Sequence, residues 1–293
     1  MFETIGLIGK FGDPGSASEV DAVRQHLLRR GRTVHLDRET ANYLAASDGP
    51  VLDYESMADC CDLVIVVGGD GTLLHAARKL ADTDVPVLGV NLGRLGFLVD
   101  VSPSEAGARL DEILDGQFIE EPRALLAAEV RRGNEILLAG SALNDVALHK
   151  AEIARIIGFD TYVDGKFVNR HRADGLVVAT PTGSTAYALS GGGPLIYPTL
   201  DTVVMVPICP HTLSDRPIVV SMDSEIRVRL NDPQRPEARI TLDGQCNFLM
   251  GYDDIVHIRR HRVPLRLIHP ADYDYFEILR AKLHWGSAPE PRR

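Results

Sequence analysis

Short apolar runs separated by helix-type patterns dominate the N-terminal third of the chain. Four stretches are predicted as strands: residues 4–8, 33–36, 63–67 and 85–90, of which the run 63–67 is typical of a strand buried on both faces of a parallel sheet. Residues 16–30 place apolar side chains on one helical face, and Ser16 and Glu19 have the spacing of a capping box. This alternation predicts a Rossmann-like parallel α/β sheet that binds ligands at the carboxyl ends of its strands.

Other parts of this region give weaker patterns. Residues 73–80 are predicted as a helix with Thr72 as its cap, and residues 103–114 as another helix. Residues 41–57 are polar and lack a clear period, so we expect a mobile loop there.

Beyond residue 101 the pattern becomes that of β-structure, with turn pairs such as Asp164-Gly165 between short alternating stretches. Strands are predicted at residues 125–131, 135–139, 142–149, 156–163, 166–172, 175–180, 202–207, 218–220, 225–230, 238–242, 254–260 and 265–268. The fold expected is an α/β domain at residues 1–101, an all-β domain at 102–270, and a C-terminal helix, within about residues 271–285, that returns to the first domain. A Pro-rich tail at residues 286–293 is expected to be disordered.

Composition narrows the class of protein. The chain has 293 residues, 45% of them apolar, and a net charge of −10, which argues against nucleic acid as a main partner. Its four cysteines match neither a disulfide framework nor a zinc site. The N-terminal residues do not have the pattern of a signal peptide, and no apolar run reaches the length of a membrane span. We therefore expect a cytoplasmic protein without a membrane partner.

The segment Gly68-Gly69-Asp70-Gly71-Thr72 directly follows a buried apolar run and precedes a predicted helix. Glycines allow the backbone to turn sharply and to approach a ligand closely, and a helix N-terminus favours phosphate. The Asp70 carboxylate would repel an anion there unless a metal ion or proton transfer requires it. The segment therefore indicates a phosphoryl-transfer or nucleotide site, with an ordinary Gly-rich turn as the alternative.

A second segment, residues 174–194, places many hydroxyls and glycines between a strand and a helix. Its neutral N–H and O–H donors suit ribose hydroxyls, phosphates or the edge of a base, and Tyr187 can stack on a ring. Asn144-Asp145 can bind a ribose or a base but is also a common turn pair, and the Asp243-Gly244-Gln245 turn has the same ambiguity. Arg172 and Asp174 form either an ion pair or a ligand clamp.

Taken together, these motifs resemble those of the bacterial ATP-NAD kinase family. The resemblance covers residues 4–280 and rests on Gly68–Thr72, the segments 91–97 and 174–194, Asn144-Asp145, and Asp243-Gly244-Gln245. The first motif alone also occurs in diacylglycerol and sphingoid lipid kinases. The segment 180–187 distinguishes NAD kinases, and the polar residues 182–190 argue against the apolar pocket that a lipid acceptor needs. A Rossmann oxidoreductase would need Gly-x-Gly-x-x-Gly, which residues 6–12 do not provide.

The resemblance implies that Asp70 accepts the proton of the 2′-hydroxyl on the adenosine ribose of NAD, the hydroxyl that ATP phosphorylates. It implies binding contacts at Gly71, His75, Asn144, Asp145, Arg155, Arg172, Asp174, Thr185, Ala186, Tyr187, Ala188, Leu189, Ser190 and Gln245. It also implies that the protein forms a homodimer or a homotetramer. Since the sequence shows no dedicated metal cage, we expect Mg²⁺ to enter bound to the phosphates of ATP.

Overall fold

The computed structural model describes residues 2–10, 12–44, 50–93, 96–151, 156–233 and 237–285. The chain forms two compact units, of which the first runs to Pro122 and resumes at Leu265, and the second extends from Arg123 to Pro264. Each unit has its own cluster of buried apolar side chains. The boundaries differ from the division expected at residues 101 and 271. The first unit also includes the helix Ala106–Leu114, nearly all of the strand Phe118–Arg123, and the strand Leu265–Pro270.

The first unit begins with alternating strands and helices. Its elements in chain order are β1 (Thr4–Ile8), α1 (Ala17–Arg29), β2 (Thr33–Asp37), α2 (Arg38–Leu44), β3 (Val51–Leu52), α3 (Tyr54–Cys60), β4 (Leu63–Gly68), α4 (Asp70–Lys79), β5 (Val87–Asn91), α5 (Ala106–Leu114) and β6 (Phe118–Arg123).

The second unit consists almost entirely of strands, as expected. Its elements are β7 (Leu126–Arg132), β8 (Glu135–Ala142), β9 (Asp145–Lys150), β10 (Ile157–Val163), β11 (Lys166–Ala173), β12 (Gly175–Ala179), a 3₁₀ turn (Thr182–Thr185), α6 (Tyr187–Ser190), β13 (Thr202–Ile208), β14 (Ile218–Ser221), β15 (Ile226–Leu230), β16 (Glu237–Leu242), β17 (Cys246–Gly251) and β18 (Asp254–Arg260). The chain then returns to the first unit as β19 (Leu265–Pro270) and α7 (Tyr275–Leu283). The predicted α/β plus all-β fold with a returning helix is confirmed.

The strand order of the first sheet is β3-β2-β1-β4-β5-β19-β6. The strands from β3 to β19 pair in parallel, as buried apolar strands joined by helices should. The second unit contains two antiparallel sheets of six strands each, ordered β11-β10-β15-β18-β7-β8 and β14-β13-β12-β9-β16-β17. One buried cluster, which includes Phe159 and Val178, contains side chains from both of these sheets.

Several local predictions were wrong. Residues 41–57 do not form one loop, since α2, β3 and α3 occupy most of the described part of this region. Asp53 caps α3, its carboxylate accepting a bond from the Ser56 N–H at 2.8 Å. Ser16 precedes α1, but its hydroxyl donates to the Asp13 carbonyl oxygen, so the capping box does not form. The strands β6 and β17 were not predicted. The tail, residues 286–293, lies outside the described residues.

None of the helices in the described ranges is long and apolar enough to cross a membrane.

Candidate functional site

Asp70 is the first residue of α4, directly after the buried strand β4. Gly69 occupies the N-cap position with extended backbone, and the Gly69 carbonyl accepts bonds from the N–H groups of Thr72 and Leu73 at 2.9 and 3.2 Å. Thr72 therefore lies inside the first turn rather than capping the helix, which corrects the prediction. The helix consequently begins at the carboxylate itself, and Asp70 stands at the carboxyl end of the parallel strand that leads into it.

The Asp70 carboxylate is held by the loop that follows β5. The N–H of Phe97 donates to Oδ2 at 2.9 Å, and the N–H of Leu98 donates to Oδ1 at 3.0 Å. Gly96 makes this approach possible, since a Cβ atom at that position would lie 2.1 Å from Asp70 Oδ1. Two fixed donors set the orientation of the carboxylate, while each oxygen keeps capacity for a further hydrogen bond.

Gly71 and His75 lie on α4 beyond Asp70, and Gly71 is exposed. The imidazole of His75 makes an edge contact with the Tyr54 ring, with 6.1 Å between ring centroids. Burial lowers the pKa of His75, the positive charges of Arg78 and Lys79 add to this effect, and the Asp37 carboxylate opposes it. His75 is therefore neutral at pH 7 and can donate or accept a hydrogen bond without adding charge.

The second group of predicted residues meets at one end of a sheet in the second unit. Asn144 and Asp145 lead into β9, and the Asp243 carboxylate accepts bonds from the N–H groups of Leu143, Asn144 and Asp145 at 3.1, 2.8 and 3.2 Å. The turn that carries Asp243 also carries Gln245, whose side chain is exposed. Asp243 thus fixes the backbone of the predicted Asn144-Asp145 motif.

Asp145 is buried, with 5% of its surface exposed. Burial raises the pKa of its carboxyl to about 7, and the charge of the neighbouring Asp243 carboxylate acts in the same direction. Such a group is stabilised when a ligand supplies a hydrogen-bond donor, as a ribose hydroxyl or an adenine amine does.

The hydroxyl-rich segment crosses the same end of the sheet. The hydroxyl of Thr180 donates to the Leu143 carbonyl at 2.6 Å and accepts the N–H of Gly183 at 3.0 Å. Gly183 is needed here, since a Cβ atom at this position would lie 2.0 Å from the carbonyl oxygen of Asn144. Ser184 is fully buried and accepts the Ile196 N–H at 3.0 Å. These bonds hold the backbone in place. Several hydroxyls of the segment that were predicted to bind a ligand therefore stabilise the loop instead.

The predicted contacts at Thr185, Ala186, Tyr187, Ala188, Leu189 and Ser190 fall in the 3₁₀ turn and the single helical turn α6. Ala188 anchors α6 by packing with buried residues of β9, β12 and β13. Tyr187, which is 38% exposed, stacks on the His149 ring with 5.5 Å between centroids. Burial lowers the pKa of His149, so the two rings form a neutral aromatic platform on this face of the sheet.

At the other end of β9, Lys150 donates to the Asp174 carboxylate at 2.7 Å. The sequence left open whether Arg172 and Asp174 form an ion pair or a ligand clamp. In the structure the ion-pair partner of Asp174 is Lys150 rather than Arg172. Arg172 is exposed, and its carbonyl oxygen accepts the His211 N–H at 2.9 Å. Asp145 and Lys150 begin and end one strand of six residues, which separates the two ends by about 17 Å at the usual rise.

Four functional candidates emerge from the structure alone. Asp243, Phe97 and His149 lie in motifs identified from the sequence but were assigned no role, and Lys150 was not singled out. Asp243 holds Asn144-Asp145, Phe97 holds Asp70, His149 supports Tyr187, and Lys150 pairs with Asp174. Arg155 lies outside the described residues.

Comparisons with known proteins identify the family of the chain. Residues 5–118 match the family model described as the ATP-NAD kinase N-terminal domain, and residues 143–270 match the ATP-NAD kinase C-terminal domain. The chain is 47% identical to an NAD kinase from Nitrosococcus oceani over 97% of both chains. It is likewise 47% identical to an NAD kinase from Hahella chejuensis, over 98% of this chain and 97% of that protein.

Solved structures show the same fold. A crystal structure of yeast NADH kinase complexed with NADH matches with a TM-score of 0.87 and 25% identity, covering 99% of this chain and 90% of the yeast chain. A crystal structure of an NAD kinase from Archaeoglobus fulgidus in complex with ATP matches with a TM-score of 0.74 and 26% identity, covering 95% of this chain and 99% of that one.

Together with these matches, the α/β unit with its fixed carboxylate and the β unit with its donor-rich segment identify a two-domain kinase. The chain belongs to the ATP-NAD kinase family.

Proposed function

We propose that this protein transfers the γ-phosphoryl group of ATP to the 2′-hydroxyl on the adenosine ribose of NAD, giving ADP and NADP. Membership of the ATP-NAD kinase family supports the proposal, as do the NAD kinases similar to this chain over nearly its full length. The observation that carries it is Asp70, an oriented carboxylate at the carboxyl end of β4.

Phosphoryl transfer requires mainly positioning and charge neutralisation from a protein. An ordinary carboxylate is a weak base towards a ribose hydroxyl, but proton loss is late in a loose transition state. Asp70 therefore orients the attacking 2′-hydroxyl and accepts its proton as the bond to phosphorus forms. Its oxygens can do this while Phe97 and Leu98 hold them, since each oxygen offers about two acceptor sites.

The second unit binds NAD in this proposal. Asn144 and Asp145 contact the ribose or base at one end of β9, and Thr185–Ser190 lie along the dinucleotide. Asp174, oriented by Lys150, and Arg172 serve the other end, and Gln245 contributes from its exposed turn. All of these groups except Arg172, which lies on β11 of the other sheet, belong to the sheet that contains β9, β12 and β16 or to its loops, and this supports the placement.

Asp70→Asn tests the catalytic step. Loss of a positioned general base lowers kcat by roughly 10²–10⁴-fold. Asp62→Asn is the matched control, because the Asp62 carboxylate also accepts two backbone N–H bonds, from Glu3 and Thr4, at 2.9 Å each. Asp62 follows α3 and immediately precedes β4, whereas Asp70 follows that strand. Near-normal NADP formation by the Asp70 variant, with the control equally active, would disprove the role of Asp70.

We further propose that Mg²⁺ enters bound to ATP. Within the described ranges, no group of three or more His, Cys, Asp or Glu side chains is placed to hold a metal ion. Magnesium commonly binds through substrate phosphates together with few protein ligands. Turnover should therefore follow the concentration of the MgATP complex, and a chelator should abolish turnover without changing the melting temperature of the protein alone.

We propose, finally, that the protein is a homodimer or homotetramer in the cytoplasm. An edge strand supports self-association: β14 ends its sheet and carries the exposed apolar side chains of Ile218 and Val219. Light scattering after size-exclusion chromatography should give two or four times the chain mass. A monomeric mass at micromolar concentration would contradict this.

A further inference from the structure

The loop that holds Asp70 is itself fixed by the C-terminal return of the chain. Residues 96–100 lie in the connection between β5 and α5, and the Asp70 clamp consists of the Phe97 and Leu98 N–H groups. Asp100 follows two residues later. Its carboxylate meets His269, the fifth residue of β19, with 2.8 Å between Asp100 Oδ2 and His269 Nδ1.

His269 is completely buried, and 8% of the Asp100 side chain is exposed. The imidazole stacks on the Tyr273 ring with 3.8 Å between centroids and 17° between planes, so its orientation is fixed on two sides. Because an ionised carboxylate can only accept, His269 Nδ1 donates in this bond. The other oxygen of Asp100, Oδ1, is buried and has no hydrogen-bond partner among the described residues, so the bond from His269 provides much of the compensation for burying this carboxylate.

A second contact joins the same two segments. The ammonium group of Lys282, on α7, lies 5.6 Å from the centroid of the Phe97 ring, within the range of a cation–π interaction. The strand β19 is also paired with β5, with Leu267 opposite Val87 and Ile268 opposite Leu88. The C-terminal segment therefore contacts both the loop and the strand from which the loop begins.

We infer that His269 is a positioning residue for phosphoryl transfer: through Asp100 it fixes the loop whose Phe97 and Leu98 N–H groups orient the Asp70 carboxylate. The catalytic consequence rests on the proposed function. Leu98 and Asp100 are two residues apart, which is at most about 7 Å of chain. A displacement of Asp100 therefore also displaces the Phe97 and Leu98 N–H groups. A misplacement of about 1 Å in a reacting group can cost about 10²-fold in rate.

The test compares His269→Leu with His269→Asn. Leucine removes the donor, whereas the asparagine side-chain N–H can occupy the place of Nδ1. We expect His269→Leu to lower kcat by about tenfold or more while KM for NAD and for ATP stays within about twofold, because orientation is lost and substrate contacts are kept. His269→Asn should recover most of kcat.

His26→Leu is the matched control. His26 Nε2 lies 2.7 Å from Asp111 Oδ1, and this bond joins α1 to α5 in the same unit. The control should lower the melting temperature, as His269→Leu does, but leave kcat of the folded fraction unchanged. A purely structural role for His269 predicts that the two leucine variants behave alike, and that result would overturn the inference.

Amide hydrogen exchange gives a reading that does not depend on activity. A peptide covering residues 96–101 should exchange faster in His269→Leu and remain protected in His269→Asn and His26→Leu. If the wild-type protein fails to phosphorylate NAD, the proposed function is wrong, and exchange alone then decides whether His269 fixes the loop. If His269→Leu does not fold, Tyr273→Leu replaces it, with a smaller loss of kcat and the same local exchange. Unchanged exchange in residues 96–101 refutes the inference.

Discussion

The electrostatic cost of burying Asp145 can be tested quantitatively. A carboxyl that is buried beside another carboxylate destabilises the folded protein to an extent that depends on pH. Burial, together with the Asp243 charge, raises its pKa to about 7, whereas in the unfolded chain it titrates near its ordinary value of about 4. Between these values the folded protein binds a proton that the unfolded chain has lost. The free energy of unfolding therefore falls as the pH rises from about 4 to about 7.

The substitution Asp145→Asn removes this penalty while keeping the size of the side chain. The interval between the two pKa values corresponds to about 4 kcal/mol, which is an upper bound because relaxation and water entry reduce it in practice. The variant should match the wild type near pH 4 and exceed it by about 1–4 kcal/mol above pH 7. The same substitution should weaken NAD binding, since the amide replaces one of the two acceptor oxygens of the carboxylate with a donor.

Urea unfolding followed by far-UV circular dichroism, at several pH values from 4.5 to 8, measures the difference. Asp243→Asn serves as the comparison: it also removes a charge, but it weakens the bonds to the N–H groups of residues 143–145 and should lower stability at every pH. A stability difference for Asp145→Asn that does not change with pH, or a loss at pH 8, would refute the reasoning.

Three further substitutions test the proposed role of the second unit in binding NAD. In Gly183→Ala the new Cβ atom would collide with the Asn144 carbonyl oxygen. This variant should raise KM for NAD more than about tenfold, as steady-state kinetics would show, and lose about 1–3 kcal/mol of stability in urea unfolding. Lys150→Met should raise KM for NAD several-fold through the loss of Asp174 orientation, with a stability change below about 1 kcal/mol; an unchanged KM would remove Asp174 from the site. Tyr187→Leu should lose about 0.5–1.5 kcal/mol of stacking and let the pKa of His149 rise towards its ordinary value, as NMR titration would report, while Tyr187→Phe should preserve both.

Much of the first unit could be predicted because its information is local. The apolar run of β4 followed by Gly68-Gly69 identifies the strand, the turn and the helix beyond it. The helices α2 and α3 escaped prediction because each has seven residues and depends on tertiary packing, as the burial of Thr40 and Met57 shows. The position of the α4 cap was wrong because Gly69, which has no side-chain oxygen, takes the place assigned to Thr72.

The partners within the site could not be read from the sequence because strand pairing creates them. Asp243 meets residues 143–145 through the pairing of β9 with β16, across about a hundred residues of chain. Lys150 reaches Asp174 because β9 and β12 run antiparallel, with His149 opposite Gly175. The motifs identified which residue types matter, but the register of the strands decides which of them touch.

The position of β19 has a consequence for the order in which the chain can fold during synthesis. This strand lies between β5 and β6, although the whole second unit, residues 123–264, separates it from both in the sequence. A ribosome therefore completes the second unit while the first sheet still has a gap between two of its strands. Domains generally fold as units as they emerge, so the contiguous second unit can fold first and the N-terminal unit waits for the last residues. A nascent chain that stops at Pro264 should leave the first unit protease-sensitive, whereas one that extends past Leu283 should close the gap and become resistant.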